Sequence, residues 1–243
     1  MMGRTHAATG AIAAVGVQPL LAHYGLISDD PGTQVVAVLL AAGGALYADL
    51  DHHNGTISRT LPPVTTLLAR VVSAISGGHR NGTHSLIGIL GFTVAGWGVS
   101  LLTGWPVGLW LGFTIAIGLT ALNVIPSKAV ALRIILILAV IGVTTYAGTT
   151  WFDPRVIPWM ALLGGVAHVF LGDMWTKEGC PLFWPVNKHR FRFASITTDT
   201  WVERYLVAWV LFIAAGLILA WRTGFWPQVE RVWVTIQDWL TAL

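Results

Sequence analysis

Residues 36–53 read VAVLLAAGGALYADLDHH. An apolar run with no charged residue ends abruptly in two aspartates and two histidines. A helix rises about 1.5 Å per residue, so 34–51 covers most of a hydrocarbon core about 30 Å thick. A buried helix of a soluble protein would be shorter or would show one polar face. This stretch therefore decides between a soluble fold and a membrane fold, and the rest of the chain agrees with it.

The 243 residues are 55% hydrophobic and 10% charged, with a mean hydropathy of +0.69. Soluble domains carry about 25% charged residues. Thirteen Trp and 27 Gly suit a bilayer protein, since Trp collects at interfaces and Gly permits close helix packing. The net charge of +3 comes without a basic, aromatic-lined stripe, which argues against nucleic acid as a partner. Cys180 is the one cysteine, so no internal disulfide and no CxxC motif exist.

Hydropathy predicts an all-α, polytopic integral membrane helical bundle of about seven transmembrane helices, forming a single domain over 1–243. The segments are about 7–23, 34–51, 85–103, 107–125, 129–149, 156–173 and 204–221. Gln18-Pro19 interrupts the first. Arg133, near the start of the fifth, is expected to snorkel to the surface. Arg4 followed by a short apolar run has a faint look of a signal peptide, but no small-x-small cleavage site follows, and it reads as the first span. Between spans lie polar loops at 52–84 and 174–203. The first encloses PVTTLLARVVSAIS, whose Val64, Leu67, Leu68, Val71, Val72 and Ile75 recur at helical spacing and predict an amphipathic interfacial helix. Residues 225–243 predict another, anchored by Trp226, Trp233 and Trp239.

Threading these segments brings His6, Asp49, Asp51, His52, His79, His84, His168 and Asp173 to one face of the membrane, although they are far apart in sequence. The same face receives Arg4, Arg59, Arg70, Arg80, Lys128, Arg133, Lys177, Lys188, Arg190, Arg192 and Arg204, and the other face Arg155, Arg222 and Arg231. The positive-inside rule makes the first face cytoplasmic, with the N-terminus inside and the C-terminus outside a plasma or inner membrane.

Asp49 shares a helix face with His52 at i, i+3 or with His53 at i, i+4, while Asp51 points elsewhere unless the helix ends at Asn54-Gly55. Two carboxylates so close repel unless a cation separates them. Acids at a helix C-terminus also oppose its dipole. In HRNGTHS (79–85) either Thr83 or Ser85 is placed to cap the next helix, His84 stands at its start, and Arg80 suits a phosphate. His79 is left open between ligand and supporting partner. His168 lies inside an apolar run, where an ionisable group is a functional candidate. Asp173 follows five residues on, a step that turns about 140° away on a regular helix. A π-bulge, a helix end before Asp173, or two separate metals would each accommodate that step. His6 completes the cluster, with Gly10 one turn on where another helix packs closely.

TH at 5–6, DLDH at 49–52, HRNGTHS at 79–85, AHVFLGDMWTKEGCPLFWP at 167–185 and TTDTWVER at 197–204 occur in order. Together they resemble the YdjM-like family, membrane-bound proteins regarded as metal-dependent hydrolases and as distantly similar to zinc-dependent phospholipase C. The family more often spaces its last His and Asp by four residues, so Asp173 departs from the pattern. The resemblance implies that His6, Asp49, Asp51, His52, His84, His168 and Asp173 hold one or more Zn²⁺, with Mn²⁺ as an alternative. A metal-activated water would then cleave a lipid or lipid-linked phosphoester. Catalytic roles fall to Asp51, Arg80 and Asp173, with whichever Asp is not fully engaged taking the proton, and Arg80, Arg190 and Arg192 contact phosphate.

Other classes predict different features. A metal- or proton-coupled transporter would show internal repeats and polar groups near the midplane, and none is visible here. A non-catalytic scaffold with a structural metal would share the ligands without a role for Arg80. A metal-free phosphatase with a His nucleophile would carry Lys-x6-Arg-Pro and Pro-Ser-Gly-His patterns, which are absent.

Overall fold

Asp30 starts the helix that carries the opening stretch. Its carboxylate accepts the Thr33 N–H at 2.9 Å and the Thr33 hydroxyl at 2.7 Å, and Pro31 fits the first helical position. The computed structural model describes residues 3–126, 129–147, 151–198, 200 and 206–241, with side chains omitted at 229 and 238–241. Its helices are α1 (Gly3–His23), α2 (Pro31–Gly44), α3 (Val64–Ile75), α4 (Leu86–Ser100), α5 (Trp105–Ala121), α6 (Val130–Ala147), α7 (Val156–Val166), α8 (Ala208–Arg222) and α9 (Trp226–Thr241). Among the described residues no strand forms. Two isolated bridges, Thr176 with Ile196 and Cys180 with Phe191, fold the loop after α7 back on itself.

The core is built on α1, α2, α5 and α7, with α4, α6 and α8 packed outside them. Its buried side chains are mostly small, Ala7, Ala8, Ala11, Ala37, Ala41 and Ala42 among them. In a bilayer, association rests on close packing, and small residues let backbones approach. A Cβ on Gly10 would come within 2.9 Å of Ala45 Cβ on α2, so the close approach expected there is present. A Cβ on Gly164 would lie 2.5 Å from the Ala45 nitrogen. That approach seats α7 against the end of α2.

Pro19 does not break α1, contrary to the expected interruption. Its missing N–H leaves the Val15 carbonyl without its intrahelical donor. Arg222 from α8 donates to that carbonyl at 3.1 Å and to Gln18 Oε1 at 3.3 Å. Gln18 is itself buried and donates to the Gln34 carbonyl at 2.9 Å. A second helix thus supplies the bond that the proline removes. The nearby loops are tied at the same end, where Asp153 accepts the Ser28 N–H at 2.9 Å and donates its own N–H to Thr33 Oγ1 at 2.8 Å.

Three helical stretches are long and apolar enough to cross a membrane: Pro31–Asp51, Val130–Ala147 and Val156–Trp175. A fourth counts if α8 and α9, bent by 118°, make one broken span. The helices α4 and α5 are apolar but only 15 and 17 residues long. Length and composition alone support three or four spans and do not confirm the expected seven. The outer faces remain strongly apolar: Leu90, Val94 and Trp97 on α4, Ile135 and Leu138 on α6, and Val210 and Ile213 on α8 are all exposed. Arg133 does not snorkel. It is 8% exposed on α6.

Helices form at both stretches expected to be amphipathic. Val64, Leu67, Val71 and Ile75 of α3 are exposed on one face while Thr65 and Ala69 are buried on the other. In α9, Trp226 donates to Glu230 at 2.6 Å and Trp233 is exposed, whereas the Trp239 side chain lies outside the description. Lys128, Arg204 and most of TTDTWVER also lie outside the described residues.

Replacing Arg222 by Leu is expected to lower stability by about 1–3 kcal/mol, because the buried Val15 carbonyl loses its donor. Thermal unfolding in detergent micelles, with Arg222→Lys as a partial rescue, checks this.

Candidate metal centre

Four chain segments end at one place. His6 comes from the first turn of α1. Asp49 and Asp51 come from a 3₁₀ turn at Ala48–Asp51 beyond α2. His79, Arg80 and His84 come from the loop before α4, and His168 and Asp173 from the continuation of α7. All but Asp49, Arg80 and His79 are buried.

The continuation of α7 is a π-helix over Ala167–Gly172, in which the Asp173 N–H reaches the His168 carbonyl. That i to i+5 bond defines the wider turn. It brings a residue five positions on back towards the same side, and a 3₁₀ turn from Asp173 completes the adjustment. His168 Nε2 therefore lies 3.5 Å from Asp173 Oδ2. Of the possibilities left open by the spacing, the π-turn is the one present. Gly172 is required beside it: a Cβ there would lie 2.6 Å from His6 Cε1.

The hydrogen bonds behind the rings fix where their lone pairs point. His168 Nδ1 contacts the Ala45 carbonyl, which only accepts, so Nδ1 carries the proton and Nε2 of the neutral ring is bare. Thr83 donates its hydroxyl to Asp51 Oδ2 at 2.5 Å and is left to accept from His84 Nδ1 at 3.0 Å. The neutral His84 ring is then also bare at Nε2. The two Nε2 atoms face each other at 3.2 Å. Asp173 Oδ2 stands 3.3 Å from the His84 nitrogen, and Asp49 Oδ1 is 3.8 Å from the His84 nitrogen and 3.9 Å from that of His168. His6 stacks on His168 with centroids 3.6 Å apart and places Nε2 3.4 Å from Asp173 Oδ1. Neither His6 nitrogen has a hydrogen-bond partner, although the residue is 1% exposed.

The atoms meeting at this point are acceptors. Held so close in a buried place they repel, unless a cation lies among them. An imidazole whose far nitrogen is tied to a carbonyl is how proteins commonly orient a metal ligand. Three overlapping sets have donor atoms within 4.8 Å of one another: His6, Asp49 and His168; His84, His168 and Asp173; and Asp49, His79 and His84. Nitrogen and carboxylate oxygen together suit zinc or a similar divalent ion. The residues fit such an ion.

Asp51 and Asp49 behave differently. Asp51 accepts three hydrogen bonds, from His79 at 2.8 Å, from the Arg80 N–H at 3.0 Å and from Thr83. It holds the 79–84 loop in place, a positioning contact beside the catalytic role expected of it. The Asp49 carboxylate accepts no hydrogen bond among the described residues, and the side chain is 20% exposed. Arg80 has a left-handed backbone, φ 59°, an uncommon conformation outside glycine. Its guanidinium reaches Asp173 at 3.1 Å, Thr176 at 3.2 Å and the exposed Glu178 at 3.3 Å.

Some expected residues are not brought in. His52 follows the last turn in an extended conformation, φ −98° and ψ 104°, so its ring leaves the face of Asp49. It packs edge-on to His79 and accepts the Asn54 N–H at 3.2 Å. Arg190 is exposed, and Arg192 donates to the Lys177 carbonyl at 3.1 Å. Cys180 is buried, which pushes its thiol up to about 12, and it is no nucleophile. Thr83 is the residue that sequence reasoning undervalued. Ser85 caps α4 by accepting the Gly88 N–H at 3.3 Å, which releases Thr83 to join Asp51 to His84.

The family profile described as YdjM inner membrane protein matches residues 1–123 and 132–236. The chain belongs to the YdjM inner membrane protein family. Every residue of the candidate centre falls within the two matched stretches. No curated protein and no solved structure matches the chain.

Burial opposes a charge on His84, but the carboxylates of Asp173, Asp51 and Asp49 outweigh it and raise its pKa to about 9. Without a metal the ring therefore takes a proton at neutral pH, and a metal must displace it. Metal affinity is expected to rise about tenfold per pH unit up to roughly pH 9 and then level off. Zinc titration in weak buffer at pH 7.5, read with a pH indicator, should release protons in step with metal uptake.

Proposed function

We propose that this protein is a membrane-bound, metal-dependent hydrolase of lipid phosphoesters. One observation carries the reading: His84 Nε2, His168 Nε2 and Asp173 Oδ2 meet within 3.5 Å with their lone pairs converging, beside the Arg80 guanidinium. Metal donors alone would suit a structural ion. An arginine whose fork is shared between a buried ligand and the exposed Glu178 is what a phosphate site needs.

His6, His84, His168 and Asp173 would hold the ion, zinc foremost and manganese second, with the Asp49 carboxylate beside them. When bound, such an ion activates water and offsets charge on phosphate oxygens. Asp49, with no donor committed to it, takes the proton from the attacking water. Water adds at phosphorus, the P–O bond to the alcohol breaks, and that proton goes to the leaving alkoxide. Arg80 exchanges Glu178 for a phosphate oxygen and stabilises the developing charge. Asp51 and Thr83 position His84. Arg190 and Arg192, on the exposed loop, meet the headgroup beyond the phosphate.

The membrane placement belongs to the same proposal. In this reading α1, α4 and α5 complete a seven-span bundle with α2, α6, α7 and α8, and the surplus of basic residues on one face supports a cytoplasmic centre. A membrane-impermeant reagent is then expected to miss a reporter in the 52–84 loop in intact cells and to reach it after lysis. Labelling in intact cells reverses the orientation.

Activity is tested with protein purified in detergent and vesicles of phosphatidylethanolamine and phosphatidylglycerol. Bound zinc and released lipid product should both be present, and both should fall in His168→Ala. In Asp49→Asn, turnover should drop about 10²–10⁴-fold, the range for a lost general base. Full turnover after complete metal removal would overturn the proposal.

A further inference from the structure

A groove opens beside the centre. Val72 and Ile75 of α3 form one wall, Ile87 and Gly91 of α4 the other, and Thr83 and Trp184 close its upper end. Its volume is about 420 Å³ and its lining is apolar apart from the Ser76 and Thr83 hydroxyls. Thr83 is the residue that bonds Asp51 and His84, so the groove begins one side chain from the proposed metal ligands. Its far end is Ala95.

We infer that this groove binds one acyl chain of the phospholipid whose phosphate lies at Arg80. The inference rests on the proposed hydrolase and names its substrate class as a bilayer phospholipid.

Three features select that occupant. The groove ends at Thr83, whose hydroxyl bonds Asp51 and His84, so a ligand reaching from the groove to the centre has an apolar tail and a charged head. Arg80 lies three residues before Thr83 in the loop at the head end, and the tail end runs along a helix whose outer face exposes Leu90, Val94 and Trp97. The length also fits. From Leu86 to Ala95 the helix rises roughly 14 Å, about half of a 30 Å hydrocarbon core, which is the depth of one leaflet. At about 30 Å³ for a water-sized group, the volume takes on the order of a dozen methylenes. A long polyprenyl chain would outrun it. The amphipathic α3 lies where the chain must bend from headgroup to groove, and its exposed Leu67, Val71 and Ile75 face the same apolar layer.

Gly91 offers a clean test, because a Cβ there meets nothing within 4 Å. Gly91→Leu fills the groove without straining the fold. Gly98, on the same helix, also meets nothing and does not line the groove, so Gly98→Leu is the matched control. Full-length protein in nanodiscs would be photolabelled with phosphatidylglycerol carrying a diazirine midway along one acyl chain, and the adducts mapped by mass spectrometry. Adducts on the α3 and α4 groove residues, reduced about tenfold in Gly91→Leu and unchanged in Gly98→Leu, are expected for the loss of a few buried methylenes. Labelling that is indifferent to Gly91→Leu, or concentrated elsewhere, overturns the inference. So does competition by a polyprenyl phosphate but not by unlabelled phosphatidylglycerol. Ala95→Trp repeats the block independently, and bound zinc reports that each variant is folded. The two readings separate cleanly. Groove labelling without turnover removes the hydrolase and keeps the chain site, whereas turnover with no groove labelling does the reverse.

Discussion

Three carboxylates in one small, mostly buried cluster form the constraint on which the rest of this structure depends. In a low-dielectric place each unpaired charge is costly, and like charges a few ångströms apart raise that cost. Asp49, Asp51 and Asp173 bring three negative charges, and Arg80 returns one. A divalent cation of the kind proposed would offset the remaining two. When it is absent a proton takes part of its place, which is why His84 is drawn up to about 9 against its own burial. The bonds behind the His84 and His168 rings fix which nitrogens would meet either cation, a proton or the proposed metal.

Keeping such a cluster needs helix ends held rigidly together. The glycine contacts supply this. Gly164 lets α7 lie on the end of α2, and this brings His168 under the Ala45 carbonyl. Gly172 then leaves room for the His6 ring against the π-turn. Helix ends are suitable carriers, because they can expose polar groups at the rim of an apolar bundle while the shafts stay apolar. At the opposite end Arg222 performs the comparable task for the carbonyl freed by Pro19.

Much of this was legible from sequence. Counting helices placed His6, Asp49, Asp51, His84, His168 and Asp173 at one end, and the apolar spacing located α3. What escaped was local. His52 looked like a ligand because a continuous helix would put it over Asp49, yet the chain leaves helical geometry at that residue. Pro19 looked like a break because its rescuer lies more than two hundred residues away. Arg133 looked exposed because its position near a helix start hides the packing that covers it. Spacing along one segment decides contacts within it; contacts made by another segment are not written there.

Asp49 and Asp51 show the same limit at its finest scale. They are chemically identical and two residues apart, and nothing in DLDHH ranks them. A 3₁₀ turn has about three residues per turn, so positions two apart point to different sides. Asp51 therefore faces the 79–84 loop and meets three donors, while Asp49 faces the imidazoles and meets none. A carboxylate with three donors fixes geometry and one with none is available for a proton or a metal. The division of labour follows from the turn and from a loop thirty residues away, which is why one of the pair organises the centre and the other is left to act in it.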